Sequence, residues 1–163
     1  MPVSETRDAQ GFRYLKLRQT HGGVPVQQGE LILQVAEDGA VLAVAGRPRA
    51  GLTIGTTPSL TGDAALARGL APEFGAGTPR YKVHEAPKLE IYTNTDGSPV
   101  LAYRTAVEYV GQRGFAFEEL VLDADRGTVI ARLPRMHTAL NRSIYDGKKA
   151  CLSTGSELPG TLL

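Results

Sequence analysis

The sequence predicts an α+β fold: two small antiparallel-sheet modules in tandem, with a helix packed on sheet and an irregular C-terminal tail. Three observations predict it. Apolar residues alternate with period two along several runs between residues 12 and 44, and again between 89 and 133. Gly-rich or Asp-Gly breaks separate those runs. A single Ala-rich stretch, residues 63–70, lies between the two sets and has the composition of a helix. One helix followed by antiparallel strands is an α+β arrangement.

The first module is a β-meander over residues 8–46. Residues 12–19 alternate, with Phe12, Tyr14, Lys16 and Arg18 on one face and Leu15 and Leu17 on the other. His21-Gly22-Gly23 breaks the run. Val24-Pro25-Val26 resumes an extended path, which Pro25, lacking an N–H, would keep at a sheet edge. Leu31, Leu33 and Val35 form one face of the next strand. Asp38-Gly39 then reads as a type I′ hairpin turn, and residues 41–44 return.

Residues 47–58 are rich in Gly, Pro and Thr and form a connector. Ser59 or Thr61 can cap the helix at 63–70, where Asp63 suits the positive end of the helix dipole. Residues 71–87, with three prolines, read as a loop around a short strand at 80–84. Leu89 and Ile91 open the second β run, and Asp96-Gly97 gives another hairpin turn. In residues 100–110 the set Leu101, Tyr103, Thr105, Val107 and Tyr109 is the core face, because the opposite set includes Arg104 and Glu108. Strands at 115–122 and 128–133 follow, so the second module covers 59–133. Residues 134–139 read as a linker, and no period is sustained beyond it.

Composition narrows the function classes. The 163 residues are 42% hydrophobic and 21% charged, enough for one ordinary domain or two small ones. Eighteen Lys and Arg against 17 Asp and Glu leave a net charge of +1, which points to neither nucleic acid nor a membrane surface as a partner. No apolar run approaches the ~20 residues of a membrane-spanning helix. One cysteine excludes an internal disulfide framework. Residues 1–10 have no basic segment or apolar stretch of secretory type, so on the residues alone a cytosolic protein and a chain starting after its signal both remain open.

No catalytic constellation stands out. There is no HExxH, and His21, His84 and His137 are dispersed in or beside predicted loops. Ser98 sits in a turn without nucleophile context, and Cys151 has no CxxC partner. Asp123-Ala124-Asp125-Arg126-Gly127 superficially opens a calcium loop, but no further acidic ligands follow at the required positions, and a hairpin turn accounts for all five residues.

The first module resembles the propeptide module of fungalysin-like and thermolysin-like secreted zinc metalloproteases. The resemblance rests on Gln19, Gly23-Val24-Pro25-Val26, Gly29, the apolar strand at 31–35 and Asp38-Gly39, in that order. The second module is similar to the PepSY-type half of such propeptides. It rests on the helix at 63–70, Leu89-Glu90-Ile91-Tyr92, Gly97-Ser98-Pro99-Val100-Leu101-Ala102-Tyr103, and the turn from Asp123 to Gly127 followed by Thr128-Val129-Ile130. In the tail, Asn141-Arg142-Ser143-Ile144-Tyr145-Asp146-Gly147 and Leu158-Pro159-Gly160 resemble the opening of the catalytic domain, so 140–163 would be its truncated start.

This resemblance implies two tandem cystatin-like modules that act as intramolecular chaperone and inhibitor of a protease domain until cleavage. It implies that the chain itself is not an enzyme and holds no cofactor, with zinc and calcium expected only in the missing catalytic domain. The full precursor would be a zinc metalloendopeptidase. The partner would be the cognate catalytic domain, with no nucleic acid or membrane, and the protein would be secreted as a zymogen with its signal already removed. The linker Arg132 to Ala139 would lie across the protease cleft, with the processing junction at Arg135, Met136, His137 and Thr138. A stand-alone inhibitory or binding module acting in trans is the alternative.

Overall fold

The computed structural model describes residues 1–136. Eight strands and one helix follow in the order β1 (Pro2–Arg7), β2 (Arg13–His21), β3 (Val24–Val35), β4 (Val41–Gly46), α1 (Gly62–Phe74), β5 (Tyr81–Thr93), β6 (Pro99–Gly111), β7 (Gly114–Asp123) and β8 (Val129–Pro134). The strands form a sheet ordered β1-β2-β3-β5-β6-β7-β8, with β4 paired to β3 off that path. All neighbours are antiparallel except β3 and β5, which meet in a parallel pairing at Val26 and Ile91. This pairing divides the sheet into a first part, β1 to β4, and a second part, β5 to β8.

One strand joins the two. Leu31 to Val35 of β3 lies between β2 and β4, while Val26, near its start, touches β5. Between these points the ladder with β2 jumps from Arg18↔Glu30 to Thr20↔Pro25, so Val26, Gln27, Gln28 and Gly29 all oppose Gln19. Gln28 adopts a left-handed φ of 58° within this excursion. The two separate strands expected at 24–26 and 31–35 are therefore one. Pro25 does not mark a sheet edge, because the irregular ladder around it absorbs the missing N–H.

The core belongs to the second part. Helix α1 packs on the face formed by Ile91, Leu101, Tyr103, Val107, Tyr109, Leu120 and Leu122, and inserts Ala65, Leu66 and Leu70. Leu66, Leu70, Ile91, Leu120 and Leu122 are almost wholly buried, each contributing about 1.5–3 kcal/mol through removal of apolar surface from water. The period-two core face of residues 101–109 is found as expected. No helix among the described residues covers the first part, so within them helix-on-sheet packing holds for the second part alone.

The helix is longer than its sequence suggests. Thr61 is the cap, its side chain accepting from Ala64 N–H, but the helix continues past Leu70 to Phe74 with Pro72 inside it. Tertiary contacts outweigh the cost of the proline. Phe74 packs edge-on against Tyr109 with ring centroids 5.9 Å apart, the Glu73 carbonyl accepts from Gln112 N–H, and the Glu73 carboxylate binds Arg113 and Arg132. The short strand expected at 80–84 is present from Tyr81 onward, but residues 85–87 are not a loop. They belong to β5, whose ladder with β6 shifts between Val83 and Glu85 and again between Glu85 and Lys88, leaving room for Pro87.

The type expected at Asp38-Gly39 is not the one found, and the hairpin turn at Asp96-Gly97 shares its geometry. Asp38-Gly39 and Asp96-Gly97 are not type I′, since only the glycine of each pair has positive φ. In both, the glycine N–H bonds to the carbonyl three residues earlier, at 3.0 Å to Ala36 and 2.9 Å to Asn94. In both, the Asp carboxylate accepts from the N–H two residues on. This is a type I turn closed by a left-handed glycine. The same arrangement at Asp8–Gly11 joins β2 to β1, a strand of exposed residues with no apolar alternation. The type I′ geometry occurs instead at Gly22-Gly23, with φ of 53° and 85°.

Candidate functional site

Of the residues that carry the first resemblance, Gln19, Gly23 to Val26 and Gly29 collect where the two parts of the sheet meet. The Gln19 side chain grips the connector from both sides, donating to the Arg49 carbonyl at 2.6 Å and accepting from Arg49 N–H at 2.8 Å. Gly29 makes room for it, since a Cβ there would lie 2.9 Å from the Gln19 Cβ. Gly23 forms the turn that sends the chain back through Pro25 to Val26, which is buried and pairs with Ile91. Further ties cross the junction: His21 Nε2 lies 3.0 Å from the Ile54 carbonyl, and Gln27 accepts from Thr93 N–H at 3.2 Å. Arg49 reaches the Gly97 carbonyl at 2.9 Å.

Residues of the second resemblance fix the other end of the connector. Tyr103 donates to the Leu60 carbonyl at 3.0 Å. Asp123 closes the turn after β7 by accepting from Asp125 and Arg126 N–H, both at 2.8 Å, and Gly127 N–H returns to the Asp123 carbonyl. Asp125 in turn accepts from Ser59. Both carboxylates of the turn thus bind backbone or hydroxyl donors. Among the described residues no group of three or more His, Cys, Asp or Glu is placed to hold a metal ion. Ser98 completes its turn by donating to Asp96, and Cys151 lies outside the described residues.

The exit of the chain from the sheet is held by arginines. Arg132, read from sequence as the start of the linker, lies within β8 and bonds the Glu73 carboxylate at 2.8 Å, the Tyr109 hydroxyl at 2.8 Å and Glu118. Glu73 and Glu118 are buried, so the guanidinium satisfies two carboxylates largely withdrawn from water. Burial, and then hydrogen bonding to Glu118, push the Tyr109 hydroxyl up to about 12. Arg135, the first residue after β8, donates its N–H to the Phe117 carbonyl at 2.9 Å and its guanidinium to Glu85 and Glu119. Arg104 binds Glu119 and Glu90, making a charged row across β5, β6, β7 and the exit on the face away from α1. Burial alone would raise the Glu119 carboxyl, but hydrogen bonds from Arg135 and Arg104 outweigh it and hold the group below the usual carboxylate range.

Of the expected processing junction, Arg135 and Met136 are therefore placed, and His137 and Thr138 lie outside the described residues. Sequence reasoning missed the arginine clamp. Its signal was present in Arg104, which the core-face assignment set aside, but the partners Glu90 and Glu119 lie on different strands. His84 pairs with Glu108 at 2.8 Å and rests 4.8 Å from the Phe117 ring, remote from His21.

Comparison with known sequences identifies a motif in the first part of the sheet. Residues 2–48, covering β1 to β4, match the Fungalysin/Thermolysin Propeptide Motif. The chain carries a metalloprotease propeptide motif. The match begins at residue 2 and takes in β1, which pairs along β2. Likeness to a metalloprotease extends past the motif. The transglutaminase-activating metalloprotease of Streptomyces mobaraensis is 26% identical over 144 residues, spanning 87% of this chain, so that alignment necessarily includes much of the second part of the sheet. This chain spans only 19% of that relative's length. Among solved structures, the Bacillus megaterium YpeB C-terminal domain gives a TM-score of 0.38 at 18% identity, covering 82% of this chain and 56% of that one, a likeness too distant to carry an argument. No helix among the described residues is long and apolar enough to cross a membrane.

Proposed function

We propose that this chain is the propeptide portion of a secreted thermolysin-like zinc metalloprotease precursor, and that it templates the folding of its protease domain and inhibits that domain until cleavage. The observation that carries this reading is the propeptide motif at residues 2–48, continued by a metalloprotease relative aligned over 144 residues. On this reading residues 8–46 and 59–133 are tandem cystatin-like modules, the second of PepSY type, joined by the connector 47–58. Residues 134–139 are the linker, and 140–163 begin the catalytic domain, which alone holds zinc and calcium. The motif residues act as structural ties rather than as a site of chemistry, consistent with a chain that is not itself an enzyme.

The arginine clamp gives the inhibitory role a physical basis. Arg132 and Arg135 fasten the chain to the sheet immediately before Met136, so the linker is anchored at a fixed point. An extended segment so presented can pair with a strand edge in a protease cleft, as peptide ligands do. Its ordering entropy is already partly met by the clamp.

The test is inhibition of peptide cleavage by the mature Streptomyces mobaraensis metalloprotease on adding the chain of residues 1–163. Sub-micromolar inhibition is expected. Replacing Met136-His137-Thr138 by Gly-Ser-Gly, which leaves both arginines in place, should weaken it by about tenfold or more, or ~1.4 kcal/mol. No inhibition by the unaltered chain overturns the reading.

A further inference from the structure

Beyond the linker, the surface of the second part of the sheet carries an apolar cluster that the fold does not use. Val110 and Phe115 face each other across β6 and β7 at the tip of their hairpin, 66% and 52% exposed. Phe115 forms the crest between two clefts. One, of about 460 Å³, is lined by Phe74, Tyr81 and Val110 and by Arg80 and Lys82. The other, of about 260 Å³, is lined by Phe117, Pro134 and Met136. Scattered apolar residues on a surface call for no explanation, but aromatic and aliphatic groups gathered around paired clefts do.

The charges around this cluster are uneven. The carboxylates Glu73, Glu85, Glu90, Glu118 and Glu119 are each engaged by an arginine. Glu108, which also lines the larger cleft, takes His84. Arg80 and Lys82 pair with no carboxylate among the described residues. The larger cleft thus presents an apolar floor beside two uncommitted cations, suited to a partner surface with an apolar knob flanked by carboxylates.

The position of the chain exit selects the partner. Met136 lines the smaller cleft and is where the chain leaves the sheet, so the domain that follows it is tethered at this end of the molecule. A tether makes the second contact intramolecular, and a small surface then suffices. Resting on the reading above, we propose that the β6–β7 hairpin tip, with Phe115 as its anchor and Arg80 and Lys82 beside it, is the docking surface for the protease domain that follows in the precursor. It acts together with the linker but apart from it: the linker occupies the cleft of the enzyme, and the hairpin tip fixes the orientation in which it does so.

The test uses the chain of residues 1–163 against the mature Streptomyces mobaraensis metalloprotease. Phe115→Ser, and separately the pair Arg80→Glu and Lys82→Glu, should raise the inhibition constant by about tenfold or more, the range of an interface hot spot. The melting temperature should stay unchanged. Val44→Ser, equally exposed but on β4, should inhibit like the unaltered chain. On binding, amide exchange should slow at residues 110–115. If Phe115→Ser fails to fold, the charge reversal and the exchange pattern of the unaltered chain decide. Inhibition that survives both sets of changes, with no protection at the hairpin, overturns this surface while leaving the propeptide reading intact. Absence of inhibition by the unaltered chain removes both.

Discussion

Strand β4 reads Val-Leu-Ala-Val-Ala-Gly and leaves all six residues exposed, whereas β6, no more apolar, buries Leu101, Ala102, Tyr103, Thr105, Ala106, Val107 and Tyr109. The difference lies in what each strand is given to pack against. Helix α1 and the β5–β8 ladder enclose one face of β6, and its other face is roofed by long charged side chains such as Arg104. The first part of the sheet has an equivalent apolar face, with Leu15, Leu17, Leu31, Leu33 and Val44 in register, and no helix among the described residues lies over it. An alternating pattern therefore specifies a strand and its faces, but burial depends on a second layer.

The largest test of this contrast compares core truncations. Leu122→Ala, at a fully buried position under α1, should cost about 3–4 kcal/mol in urea unfolding. Leu33→Ala, half-buried in the first part, should cost only about 1 kcal/mol. Equal losses would mean that the first part has a cover of its own. Arg132→Ala comes next, at about 3 kcal/mol, because it leaves the buried Glu73 with only the exposed Arg113 and the buried Glu118 with only the neutral Tyr109 hydroxyl. A loss below about 1 kcal/mol would show that water reaches Glu73 and Glu118 as readily as the guanidinium does.

Gln19→Ala should cost about 1 kcal/mol by freeing the connector at Arg49. Amide exchange would sharpen the comparison here, since β1 and β2 should exchange faster while β6 and β7 are unaffected. Acid acts on the charged row. The Glu119 carboxyl is held below 4.5 in the folded chain, so its contribution is complete above that pH and is lost as the pH falls through the lower folded value. Stability should decline below about pH 4.5, and less steeply in Arg135→Gln, which removes one of the two arginines that depress it. A decline of the same steepness would assign the acid sensitivity elsewhere. At the smallest end, Val44→Thr on the exposed β4 should stay within about 0.5 kcal/mol of the unaltered chain.

What the sequence made legible was local. The alternation of residues 101–109, the Thr61 cap and the breaks at Asp38-Gly39 and Asp96-Gly97 each depend on neighbours a few residues apart. The features it concealed depend on distant partners. Nothing within residues 84–90 says that Pro87 can stay inside a strand, since the bulges that admit it are set by β6. Pro72 ends a helix by local rules, and is kept in one by Arg132, Arg113 and Tyr109. β1 has no apolar alternation at all and exists through its ladder to β2. At the exit, the residue types Arg132 and Arg135 were visible, but not the four carboxylates waiting for them on α1, β5 and β7.

The strand shared between the two parts of the sheet has a consequence for biosynthesis. β1 to β4 require only one another for their antiparallel ladders, so they can assemble as soon as residue 46 has emerged from the ribosome. The parallel pairing of Val26 must wait for Ile91, on the far side of the connector and α1. During that interval Val24 and Val26, buried in the finished chain, stand uncovered at the end of an otherwise complete meander. The nascent N-terminal half is thus a ready-made acceptor whose vacancy is filled from its own C-terminal half, and an early stop in translation would leave a soluble-looking fragment with a sticky edge.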